Sequence, residues 1–164
     1  MLPHVDPYKR RGPLYLAVAR ISSTRVGAWI SVKIAWKLDP PLLKLTNGRI
    51  STARPLRAAL LESRGARTGR PRSNATLYFH DGEHVIIIAS KRGSPENPAW
   101  YYNLLQHPDI VFGGVPFRAE AVEEEAERQR LWQLADRVFP EYERYRREAG
   151  KTGRVIPIFR LIPR

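Results

Sequence analysis

The sequence predicts a small antiparallel β-barrel with helices packed on it, a mainly β fold of the α+β class. Three observations carry that prediction. Roughly six short apolar or alternating runs read as strands. Two pairs of them are joined by strong turn signals, Asp81-Gly82 and Gly113-Gly114. The helical runs do not alternate regularly with the strands, as a parallel sheet would require. A chain of 164 residues is long enough for one well-buried domain and too short for two ordinary ones. No internal repeat or low-complexity tract is evident.

In chain order, residues 1–13, with Pro3, Pro7 and Pro13 among mostly polar neighbours, read as a poorly ordered arm. A helix is expected from the cap-like Ser22-Ser23-Thr24 to about Lys37, stopped by Leu38-Asp39-Pro40-Pro41. On a helical wheel Trp29 and Trp36 lie about 20° apart, on the same broad side as Arg25, Lys33 and Lys37. Tryptophan beside cations is the residue mix of a lipid-headgroup interface. A helix packing its tryptophans on the barrel while the lysines snorkel would show the same pattern. Residues 41–48 read as a short apolar turn and a breaker. The first strand is expected over 57–62. A hairpin follows, 74–79 with 84–89; Val85-Ile86-Ile87-Ile88-Ala89 is apolar on both faces and belongs in the middle of the sheet. Asn97-Pro98 suits an N-cap and first-turn pair for a helix to Gln106. A second hairpin, 110–112 with 115–122, precedes a helix from Glu123 to Phe139, with acids at its positive end and Leu131, Trp132, Leu134, Ala135 and Val138 as its buried stripe. Pro140 ends it, a shorter helix spans 141–148, and the last strand is 155–162. The expected division is a basic arm and helix over 1–50 and a barrel over 51–164.

The charge is as uneven as the pattern. There are 28 Lys and Arg against 16 Asp and Glu, a formal charge of +12, and residues 1–60 hold 11 of the basic and 2 of the acidic ones. Such an excess fits an anionic partner: a membrane surface, a nucleic acid or a polyanionic ligand. With no cysteine, disulfides, thiolate metal sites and thiol nucleophiles are excluded. No uncharged apolar run approaches the ~20 residues needed to span a bilayer, and no signal-peptide pattern is present. A cytoplasmic protein, or one held peripherally at the inner face of the membrane, is expected.

Chemistry concentrates in two basic loops that bracket the first hairpin. In the first, Arg64, Arg67, Arg70 and Arg72 accompany Gly65 and Gly69, which let backbone N–H groups approach an anion. In the second, Ser90, Lys91 and Gly93 follow the apolar strand and precede a helix start, a second anion site. Guanidinium groups grip phosphate bidentately and lysine adds a point charge. A solvated basic surface is the plainer alternative. His80 and His84 flank a turn rather than lying on one helix face, so no metal site is expected. Nucleophile-elbow, P-loop and dinucleotide fingerprints are missing.

The order of these motifs resembles the deazaflavin-dependent nitroreductase and quinone reductase family. Gly65-Ala66-Arg67-Thr68-Gly69-Arg70-Pro71-Arg72 is similar to its Gly-Arg-Lys-Ser/Thr-Gly-x-Pro-Arg pattern. Ala89-Ser90-Lys91-Arg92-Gly93 and Asn97-Pro98-Ala99-Trp100-Tyr101-Tyr102-Asn103-Leu104 are similar to its Ala-Ser-Lys-Gly-Gly and Asn-Pro-x-Trp-Tyr-x-Asn-Leu. The likeness runs from about Leu60 to the C-terminus. Ala66 replaces the usual arginine and Arg92 a frequent glycine. The resemblance implies a split β-barrel of the FMN-binding kind and a hydride transfer from reduced coenzyme F420 (8-hydroxy-5-deazaflavin) to a quinone or nitro compound. It also implies coenzyme contacts at Arg67, Thr68, Arg72, Ser73, Asn74, Ser90, Lys91 and Trp100. Phe139, Tyr142 and Tyr145 would wall the acceptor pocket, with Ser90 or Tyr145 placing the acceptor oxygen or delivering a proton. Where the family has a tyrosine, Phe139 keeps the ring and loses a hydroxyl; packing against the barrel is the alternative role for these aromatics. The nearest rival is an FMN-binding relative on the same barrel. A basic nucleic-acid-binding module is the rival from another class, although no helix-turn-helix or RNA-binding aromatic signature is visible. A homodimer and an anionic membrane surface touching residues 22–37 complete the expected partners.

Overall fold

Six strands close into one antiparallel barrel because each neighbouring pair can bury an alternating apolar face. The computed structural model describes residues 2–13, 15–17, 38–46 and 56–164. The expected helix over 22–37, with Arg25, Trp29, Lys33, Trp36 and Lys37, lies outside the described residues. The strands are β1 (Ala58–Arg64), β2 (Pro71–Asp81), β3 (His84–Ile88), β4 (Asp109–Phe112), β5 (Val115–Ala121) and β6 (Ile158–Pro163). They run around the barrel in the order β1-β2-β3-β6-β5-β4, and β4 pairs back onto β1. The α-helices that follow β3 are α1 (Ala99–Gln106), α2 (Glu125–Val138) and α3 (Glu141–Gly150).

Register and burial show which face is inward. On β5, Phe117 and Ala119 are buried while Arg118 and Glu120 are exposed. Their partners Ile110 and Leu161 are also buried, and Leu161 pairs with Val85. Val85 to Ile88 are buried on both faces of β3, as the unbroken apolar run requires. The Asp81-to-His84 hairpin turns through Gly82 at φ +58°, and Gly113 and Gly114 turn the second hairpin at φ +58° and +81°. Positive φ costs glycine nothing, which is why both signals are legible in the sequence.

Three local expectations are corrected. Residues 38–45, including Pro40 and Pro41, are helical, where a helix stop and an apolar turn were expected; proline's fixed φ is itself compatible with a helix. The N-terminal arm is packed, not loose. Val5 is buried, its N–H donates to His80 Nδ1 at 3.0 Å, its carbonyl accepts from the His80 N–H at 2.9 Å, and the Tyr78 hydroxyl donates to the Pro3 carbonyl at 2.8 Å. Asn97 does not cap α1: Pro98 occupies the cap position without a side-chain bond, and the Asn97 amide oxygen is taken by Arg154.

The antiparallel order decides where the loops go. β1 ends, β2 begins and β3 ends towards the same end of the barrel, and the bond from the Ala66 N–H to the Asn103 side-chain oxygen ties residues 65–70 to the helix that follows residues 89–98. The docked arm meets the opposite end, beside His80 at the close of β2 and Leu2 against Gly113.

Candidate functional site

The first basic loop is a tight, self-bonded turn. Gly65 N–H donates to the Arg70 carbonyl at 2.9 Å and Gly69 N–H to the Gly65 carbonyl at 2.8 Å, with Gly69 at φ +62°. Arg64, Arg67, Arg70 and Arg72 are all exposed, and among the described residues none of them forms an ion pair. Four clustered guanidinium groups without carboxylates suit an anionic ligand. Thr68 and Ser73 are exposed beside them, and Asn74 is half-buried on β2. The loop is fastened by Asn103 of α1, which is buried. Its side-chain oxygen accepts from the Ala66 N–H at 2.9 Å and its amide donates to buried Ser63 Oγ at 3.3 Å.

The second loop is strained. Lys91, Arg92 and Gly93 have φ of +42°, +57° and +78°. Left-handed backbone costs a non-glycine residue about 1–2 kcal/mol, and such strain persists only where surrounding contacts over-determine it. Two contacts do so. A Cβ on Gly93 would stand 2.7 Å from the Tyr145 carbonyl oxygen and 2.9 Å from Glu148 Cβ, so the loop lies directly on α3. Arg154 binds the other side, donating to the carbonyls of Ser90 at 3.1 Å, Ser94 at 2.6 Å and Ala89, and to the Asn97 side-chain oxygen at 2.8 Å. Ser90 is half-buried at the start of this turn. Lys91 is exposed and pairs with Glu96 at 3.1 Å. Such a solvent-exposed pair is worth at most about 1 kcal/mol, so a stronger anion displaces it.

Trp100 is buried against Phe159, ring centroids 6.0 Å apart, and positions α1 from the core. Phe139, Tyr142 and Tyr145 are buried in one aromatic cluster with centroids 5.2 to 6.2 Å apart, which Trp132 joins through Tyr142. The cluster divides by surroundings. Phe139 and Tyr142 line a shallow recess with Leu56, Arg57, Leu77, Tyr78, Phe79 and Val138, towards the arm-bearing end of β2. Tyr145 instead meets the strained loop: Arg92 hydrogen-bonds its hydroxyl, and burial pushes the phenol's pKa up against the lowering effect of that arginine. The phenol therefore stays protonated at neutral pH.

The donor set and the shared barrel end fit a ligand with several anionic groups. Residues 41–163 match the family model described as F420H(2)-dependent quinone reductase. The chain belongs to that family. It is therefore an F420H2-dependent oxidoreductase of the activity class expected from its motifs. An F420H(2)-dependent quinone reductase of Mycobacterium tuberculosis is 34% identical over 135 residues, 78% of this chain and 89% of that protein. A solved F420-H2 dependent reductase is 30% identical with a TM-score of 0.55, covering 66% of this chain and 94% of that one. Another solved chain, described as a domain-swapped dimer, is 27% identical with a TM-score of 0.58, covering 82% and 98%. The split-barrel class is thereby shown as well.

Sequence reasoning missed Asn103 and Arg154 as site-builders. Asn103 had a signal: it sits three residues after Trp100 and one before Leu104, a polar side chain in the buried stripe of α1. Arg154 had none, because nothing local marks an arginine whose partners lie about 60 residues away.

Proposed function

We propose that the two loops at the Arg64 end of the barrel hold the reduced deazaflavin coenzyme and that the acceptor is a quinone. The observation that carries this reading is the convergence at one barrel end of four arginines that form no ion pair among the described residues, the Lys91 ammonium and a strained backbone turn. Arg67 and Arg72, with Arg64 or Arg70 in place of the family's missing cation at Ala66, bind the phosphodiester and glutamate tail. Thr68, Ser73, Asn74 and Lys91 complete the contacts. The bound coenzyme supplies a hydride; a quinone that takes up that hydride and one proton becomes the hydroquinone. The protein's part is orientation and exclusion of water. Tyr145, held by Arg92 and kept protonated by burial, offers its O–H to the acceptor oxygen, and Ser90 stands at the start of the same turn.

In this reading residues 22–37 meet anionic lipid, where lipid-soluble quinones reside. Among the described residues no helix is long and apolar enough to cross a membrane. The test is steady-state oxidation of the reduced coenzyme by a soluble quinone. Tyr145→Phe should lower turnover roughly 10²-fold, the scale of a positioned proton donor, with coenzyme affinity and melting temperature nearly unchanged. A destabilised variant with unaltered kinetics would assign Tyr145 to packing alone.

A further inference from the structure

Arg154 spends four of its five N–H groups on a single loop, and every acceptor is neutral: three main-chain carbonyls and the Asn97 amide oxygen. It forms no ion pair among the described residues. It is half-buried against the loop. The planar trans peptide converts these contacts into a second consequence. With the carbonyls of Ala89 and Ser90 aimed at the guanidinium, the N–H groups of Ser90 and Lys91 aim the opposite way. Neither N–H has a hydrogen-bond acceptor among the described residues, whereas those of Gly93 and Ser94 are taken by Ser90 and Lys91 carbonyls. Such adjacent, outward N–H groups form an anion- or oxygen-binding element.

We propose that Arg154 is a positioning residue of the coenzyme site, holding the Ala89-Ser90 and Ser90-Lys91 peptides so that their N–H groups face an oxygen of the bound deazaflavin. The inference rests on the placement of the coenzyme at these loops. Charge alone does not perform this role. A lysine carries three donors radiating from one point and cannot reach four acceptors arranged around a planar fork.

Fluorescence titration with F420 tests it, comparing the wild type with Arg154→Lys and Arg154→Ala. Arg154→Lys should raise the Kd about ten- to a hundred-fold, the equivalent of one or two hydrogen bonds. For Arg154→Ala, free guanidinium chloride at low, non-denaturing concentration should restore most of the affinity. A folded Arg154→Lys with wild-type Kd overturns the inference. So does either variant failing to fold, because the residue is then a structural tie and not a positioning one. A wild type that does not bind F420 at all would instead remove the coenzyme placement on which the inference stands.

Discussion

Gly93 and Gly69 are both left-handed glycines, at φ +78° and +62°, yet they differ in what surrounds them. Gly69 has open space where a Cβ would go, whereas Gly93 has the Tyr145 carbonyl oxygen at 2.7 Å. Gly69→Ala should therefore cost only the backbone term, about 1–2 kcal/mol. Gly93→Ala adds a collision with α3 and should cost more, lowering the melting temperature by about 4–8 °C or beyond. Equal losses would show that the second loop does not bear on α3. At this scale the sequence was informative about which residues matter and less so about how. Lys91 and Gly93 stood out from the basic loop, but the contact of Gly93 with α3 joins positions about 50 residues apart, and no local pattern encodes it. Phe139 and Tyr142 share a helical spacing with Tyr145, which hides the fact that only Tyr145 meets the strained loop.

Elements were legible where local chemistry is decisive and misread where tertiary partners compete. The Asp81-Gly82 and Gly113-Gly114 turns, the apolar β3 and the stripe of α2 follow from glycine's freedom and from periodicity. Asn97 lost its capping role because the Arg154 guanidinium is a stronger partner for its oxygen than a helix N–H. The arm was misjudged because its hydrogen bonds are made by the backbone, which composition does not reveal. That arm carries a pH dependence of definite sign. His80 Nδ1 accepts the Val5 N–H, which requires a neutral ring, and His4 stacks on it at 4.3 Å with Tyr78 at its edge. Burial, then the neighbouring His4, hold the His80 pKa below its ordinary value. The unfolded chain thus binds the proton more readily, so stability is full above about pH 6.5 and falls as the pH drops towards the folded pKa. Melting temperature should decline over that window in the wild type and stay flatter in His80→Asn. Parallel profiles would mean that His80 does not latch the arm.

At the scale of the whole molecule, the closed barrel places both basic loops at one end and the arm at the other. The sequence supplied the strands and helices, while the pairings of β3 with β6 and of β1 with β4 are non-local and emerge only in the fold. The basic excess of residues 1–60 is a separate feature from the arginines of the first loop. Each cation near an anionic surface contributes about 1 kcal/mol, so the chain should sediment with anionic vesicles, weaken with salt, and ignore neutral ones. Equal, negligible binding to both would remove the membrane from the account. The placement of the coenzyme is tested most directly by parallel fluorescence titrations with F420 and FMN on the wild type and Arg72→Ala. The wild type should bind F420 in clear preference to FMN, and Arg72→Ala should weaken F420 binding ten- to a hundred-fold, since a charge-assisted hydrogen bond is worth about 1.5–3 kcal/mol. Unchanged F420 affinity in a folded Arg72→Ala, or equal affinity for FMN, would contradict it.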